Sequence, residues 1–134
     1  MCAFYRTREG AVTAADSFTA LGSLYGVSTS AAIQVPAGAT QIIGIMASVA
    51  SDSATNGAST FAVQLQGDGL SNGSETLVIG SQGVDGTPAS NGATNSTVNY
   101  DVAIPCVASN QVSVAVAMDT DIGSLSASVT LVFA

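Results

Sequence analysis

The chain is expected to be all-β, an antiparallel β-sandwich of about eight strands. Three observations predict this. Apolar and polar residues alternate at period two through most of the chain after residue 31, clusters of turn formers separate the alternating runs, and no segment carries a capped helical period. Alternation with one apolar face is the mark of antiparallel sheets that cover a core on one side and meet solvent on the other.

The elements follow in chain order. "SFTALGSLYGV" is irregular, but Phe18, Leu21, Leu24 and Tyr25 supply an edge strand. "AAIQVP" turns Ile33 and Val35 inward. "TQIIGIMASVA" sets Ile43, Ile45, Ala47 and Val49 on one face and Ile42 and Met46 on the other, so this strand is covered on both sides. "STFAVQLQG" alternates Phe61, Val63 and Leu65 with Thr60, Gln64 and Gln66, and "ETLVIGS" makes a short strand around Leu77 to Ile79. The clearest run is "STVNYDVAIPC", with Val98, Tyr100, Val102, Ile104 and Cys106 inward and Thr97, Asn99, Asp101 and Ala103 outward. "NQVSVAVAM" buries Val112, Val114, Val116 and Met118. The last strand buries Leu125, Ala127, Val129, Leu131 and Phe133 and exposes Ser124, Ser126, Ser128 and Thr130.

Between them, "SDSATNGAS", "GDGLSNGS", "GVDGTPASNGATNS" and "DTDIGS" are loops, where Gly and Asn reach positive φ and Asp, Ser and Thr bond their own backbone. A jelly roll is the leading arrangement of such strands and an immunoglobulin-like sandwich the second, since Trp and a core cysteine pair are missing. The 134 residues fit one domain, with residues 1–12 as an N-terminal arm and 13–134 as the sandwich.

Charged residues make up 8% of the chain, against roughly 25% in an average soluble protein. Eighteen Ser and thirteen Thr take over the polar role, and the net charge is −7. A surface of Ser, Thr, Ala and Gly packs against another copy at little desolvation cost, because few ions lose their water. Composition therefore favours a protein that works in an assembly, over a secreted or acid-adapted monomer, and predicts association that responds weakly to salt. Two cations are too few to hold a phosphate backbone, so direct nucleic-acid binding is not expected. No apolar run is long enough for a transmembrane segment; "AIQVPAGATQIIGIMASVA" comes nearest and is broken by Gln34, Pro36, Gly38 and Gln41. No leader pattern is visible, and Met1 favours a protein that folds where it is made.

No catalytic residues are assigned. The chain lacks His and Lys, so no Ser or Cys nucleophile has its usual activating base, and the nine carboxylates are scattered among turns without an aromatic platform for a sugar. The chain is therefore not expected to be an enzyme, and no cofactor is implied. Zinc has no ligand set. Calcium has weak candidates in Asp119 and Asp121 of "MDTDIGS" and in Asp68, Asn72 and Glu75, although turn-forming Asp is the simpler reading and neither loop is an EF-hand. Asn72 and Asn95 head glycosylation sequons of the sort that chance supplies in a chain this rich in Asn, Ser and Thr. Cys2 and Cys106 are far apart in sequence, read either as two separate thiols or as a disulfide tethering the N-terminus.

"IQVPAGATQIIGIMASVA", followed by regular strands, resembles the single jelly-roll coat proteins of icosahedral viruses. The resemblance is architectural and spans the body of the chain. It implies a structural, self-assembling capsid subunit located in the virion, whose partners are further copies of itself and other coat proteins in closed rotational contacts. Members that package RNA directly often carry long basic arms, which this chain lacks. Two other readings stand beside it: an extracellular, pilus-like filament subunit joined by donor-strand complementation, and a secreted lectin-like binding module.

The opening "MCAFYRTREG" holds the chain's whole positive charge, Arg6 and Arg8. It reads as an assembly arm, with Phe4 and Tyr5 as anchors and Arg6 and Arg8 pairing with carboxylates of a neighbouring copy. Deleting residues 1–10 is then expected to leave a folded chain that assembles poorly.

Overall fold

The computed structural model describes residues 3–13, 15–51, 58–71, 77–85, 95–119 and 125–134. Its first strand, β1 (Phe4–Val12), pairs antiparallel with the last, β11 (Leu125–Phe133), from Phe4↔Phe133 to Val12↔Leu125. The chain then folds inward from both ends. β2 (Thr19–Ala20) and β5 (Ala32–Gln34) pair with opposite ends of β10 (Gln111–Met118). β6 (Gln41–Ser51) pairs with β9 (Asn95–Pro105), and β7 (Ala58–Gln66) with β8 (Leu77–Asp85). This nesting of first with last, second with second-last, is that of one long hairpin rolled up on itself.

With β3 (Ser23–Leu24) and β4 (Val27–Ser28) added at one edge, the two sheets that result have the order β4-β3-β1-β11-β6-β9 and β2-β10-β7-β8, with β5 beside β10. Without the small additions, the strand positions are first-last-third-sixth in one sheet and second-seventh-fourth-fifth in the other. That order is a jelly roll. The leading sequence expectation holds, and the immunoglobulin-like alternative falls on strand order.

The core lies between the sheets. Phe61, Val63 and Leu65 of β7, Val112, Val114, Val116 and Met118 of β10, and Leu125, Val129, Leu131 and Phe133 of β11 are all buried, as their alternation predicts. Val98, Tyr100, Val102 and Ile104 of β9 pack against them from the sheet edge, half-buried, while Thr97, Asn99, Asp101 and Ala103 are exposed.

Four local expectations are corrected. Residues 4–12 are not an arm leaving the sandwich but a strand between β11 and β3 (Ser23–Leu24). β1 escapes the alternation pattern because two arginines and a glycine occupy core-side positions: Arg6, Arg8 and Gly10 stand opposite the buried Leu131, Val129 and Ala127. The segment at 17–27 is not one edge strand. Leu21 is fully buried, Phe18 is exposed ahead of β2, and Tyr25 is exposed because the chain turns between β3 and β4 (Val27–Ser28). Tyr25 and Gly26 both take positive φ, 52° and 77°, which gives a two-residue hairpin whose twist matches its strands.

In β6 the pairing register shifts around Ile43 against both β11 and β9, so Ile42 faces the core with Ile45 while Ile43 is displaced and half-buried. A bulge moves one residue out of the alternation and lets two residues three apart share a face. Finally, β8 does not stop at Ile79 but continues to Asp85 through "GSQGVD", because pairing with β7 supplies hydrogen bonds that Gly-rich sequence does not advertise.

Candidate assembly surface

Strand pairing sorts the N-terminal residues onto two faces. Phe4, Arg6, Arg8, Gly10 and Val12 share the core-side face of β1, and Tyr5, Thr7, Glu9 and Ala11 the outer face. The sequence-predicted site residues therefore do not act as one patch. Tyr5 is 60% exposed on the outside of its sheet. Phe4 is half-buried and packs against the core cluster.

Arg8 is committed within its own chain. Its Nε donates to the Ser30 carbonyl at 2.9 Å, Nη2 to Ala32 at 3.2 Å and Nη1 to Thr7 at 2.9 Å. Ser30 precedes β5 and Ala32 is its first residue, and β5 belongs to the opposite sheet, so the guanidinium is a strut across the open side of the sandwich. It is not the free cation that the sequence alone implies. Arg8→Ala is expected to lower stability by about 1.5–3 kcal/mol, the range for hydrogen bonds to a charged group. A urea midpoint equal to that of the unaltered protein would show that the strut carries no load.

Arg6 is exposed and donates from Nη1 to the Tyr5 carbonyl at 3.0 Å. With Arg8 and Phe4 it lines a groove of about 540 Å³, closed on the other side by Gln34, Pro36 and Ser109. The far wall is built by backbone. The Ser109 N–H donates to the Val35 carbonyl at 3.0 Å and the Val35 N–H to the Asn110 carbonyl at 2.9 Å, holding the β9–β10 turn against the end of β5. Ser109 takes a φ of 70° to make that turn. Gln34 and Ser109, which no sequence motif marks, join the arginines only because β5 and β1 meet across the sheets.

The outer face of the β1–β11–β6–β9 sheet is nearly free of charge. Thr7 and Thr130 share a hydroxyl–hydroxyl hydrogen bond of 2.8 Å, and the Thr97 hydroxyl lies 3.5 Å from that of Ser48. A depression of about 320 Å³ is floored by Ser48, Ala50, Ser126 and Ser128, with Glu9 at its rim. A second, of about 290 Å³, runs beside Tyr5, Ile43, Gly44 and Met46 to Asp101. At the sheet edge, Tyr25 (83% exposed) and Val27 (67%) form an apolar hairpin tip, which the sequence reading missed by treating "LYGV" as strand. The available signal is Gly26 within an irregular run, since glycine is the residue that reaches positive φ at a turn.

The remaining candidates lie elsewhere. Asp119 is exposed at the end of β10, where its N–H donates to the Thr60 carbonyl at 2.9 Å; Asp121 lies outside the described residues. Asp68 caps a turn, its Oδ1 accepting the Gln111 N–H at 3.0 Å, while Asn72 and Glu75 lie outside the described residues. Among the described residues no three acidic, Cys or His side chains gather as a metal site. Cys106 is buried as a free thiol, and desolvation raises its pKa above the ordinary 9.0; Cys2 lies outside the described residues. No described helix is long and apolar enough to cross a membrane.

No protein-family model and no curated protein matches the chain. Among solved structures it is similar to a chain in the structure of infectious bursal disease virus, Gx strain, with a TM-score of 0.50 at 12% identity, over 98% of this chain and 32% of that one. The likeness is one of fold. It bears out the architectural resemblance to viral jelly-roll proteins, and the present chain spans about a third of the length of the virus chain it matches. An arabinose-bound GH51 α-L-arabinofuranosidase is similar at a TM-score of 0.36 and 18% identity, over 96% of this chain and 23% of that one, too low to bear on function.

Proposed function

We propose that the chain is a structural, self-assembling protein, a coat subunit of a virus shell located in the virion. The observation that carries this reading is the jelly-roll strand order, with a fold likeness to a chain of a virus structure. The nearly uncharged outer sheet face supports it, since Ser, Thr and Ala surrender little hydration when a second copy covers them. A chain without His or Lys also supports a structural over an enzymatic role. Its partners are copies of itself, together with other coat proteins, and neither nucleic acid nor a membrane is proposed as a partner.

Size-exclusion chromatography followed by negative-stain electron microscopy is expected to find closed shells or the rings that build them. Filaments would transfer the protein to the pilus-like reading. A monomer at all concentrations would remove the assembly reading altogether.

A further inference from the structure

Both cations of a chain with nine carboxylates end in one groove, and nothing in the described residues neutralises either of them. The bonds made by Arg6 and Arg8 go to backbone carbonyls, which orient guanidinium groups but leave their formal charge unmatched. Arg6, which lines the groove, uses one terminal nitrogen on the Tyr5 carbonyl and makes no other hydrogen bond among the described residues. Arg8 is held rigidly beside it by three carbonyls. Phe4 and the buried Pro36 give the groove apolar walls, and on the opposite side the Gln34 side-chain amide donates to the Ser109 carbonyl at 3.4 Å. A planar fork in such a setting matches a carboxylate.

We propose that this groove is a carboxylate-receiving site, and that its occupant is an acidic side chain from a second copy of the chain. The proposal rests on the self-assembly reading and adds the surface through which it works. Charge complementarity selects the occupant. Outside the groove the chain carries no cation, whereas Asp16, Asp68, Asp101 and Asp119 are all exposed, so a second copy presents the matching charge from several directions. Electrostatics between copies is then one-sided: each molecule offers one positive site and a negative surface, which favours head-to-tail contact over like-to-like contact.

Arg6→Gln tests this without disturbing the strut at Arg8, since Arg6 is exposed and bonded only to the neighbouring carbonyl. Sedimentation over a concentration series is expected to show self-association weakened about tenfold or more, as for loss of a hydrogen-bonded charge, at an unchanged melting temperature. Ala37→Asp, which sets a carboxylate on the exposed groove rim, is expected to weaken it similarly by supplying the cations from within. Association unaffected by both substitutions would overturn the groove proposal and leave the assembly reading standing. A wild-type chain that stays monomeric would overturn the assembly reading and, with it, a second copy as the occupant. Titration with succinate separates the sources: Arg6-dependent binding by a protein that never self-associates would assign the site to a free small carboxylate and overturn the proposal.

Discussion

Removal of residues 1–10 is expected to unfold the protein, and not merely to detach a contact. The truncation takes away seven of the nine residue pairs between β1 and β11, from Phe4↔Phe133 to Gly10↔Ala127. It uncovers Phe133, Leu131 and Val129, all fully buried, and leaves the β3–β4 hairpin without the strand it docks on. It also removes Arg8, which ties β1 to the chain entering β5. A loss of this extent approaches the whole stability of a domain, which is about 5–15 kcal/mol. Far-ultraviolet circular dichroism should show loss of sheet signal and of any cooperative melting transition. A truncated chain that stays soluble and melts cooperatively would return these residues to the status of a dispensable arm. The structure thus reverses what the sequence implies about this deletion, because an arm and an interior strand differ only in what lies beside them.

Gly67→Ala is expected to be strongly destabilising for the addition of a single methyl group. Gly67 follows β7 at a φ of 137°, a backbone region that L-residues rarely enter. A Cβ there would overlap the Gln111 carbonyl oxygen and lie 3.2 Å from its carbon, and both atoms belong to backbone that cannot swing aside. The same Gln111 carbonyl accepts the Gly69 N–H at 2.8 Å, and the Asp68 carboxylate accepts the Gln111 N–H at 3.0 Å, so relieving the clash breaks a turn built from three consecutive residues. Backbone strain of about 1–3 kcal/mol is therefore compounded by the displacement, for a total of about 3 kcal/mol or more. In a chain of this size that lowers the melting temperature by about 10 °C. Gly26→Ala is the control. At a φ of 77° with nothing within 4 Å, it incurs only the left-handed penalty of about 1–2 kcal/mol. Equal melting shifts for the two variants would show that the close approach at Gln111 is not what demands glycine.

These two expectations separate what was legible in the residues from what was not. Alternation identified the buried faces of β7, β9, β10 and β11 because period two is a property of adjacent residues, visible without knowing any partner. The turn formers placed the Gly67–Gly69 loop for the same reason, although only the position of Gln111 makes Gly67 irreplaceable. Ile42 and Ile43 exchanged places because a bulge is decided by the strands on either side, not by the bulged sequence. The candidate site was legible as an oddity of charge and no further. The sequence marks Arg6 and Arg8 as the chain's two cations, but it cannot divide them into one strut and one open donor.

By itself, then, the sequence determined the class of fold, the inward residues of most strands and the absence of His and Lys. These are local patterns and composition, and they survive any rearrangement of the strands. Tertiary structure decided the jelly-roll order, the conversion of an N-terminal arm into a strand, and the meeting of Arg6 with Gln34 and Ser109 in one groove. Each of those depends on pairings such as Phe4 with Phe133, between residues at opposite ends of the chain. Local alternation is the same whichever strand comes to lie alongside, so only the folded arrangement could choose among them.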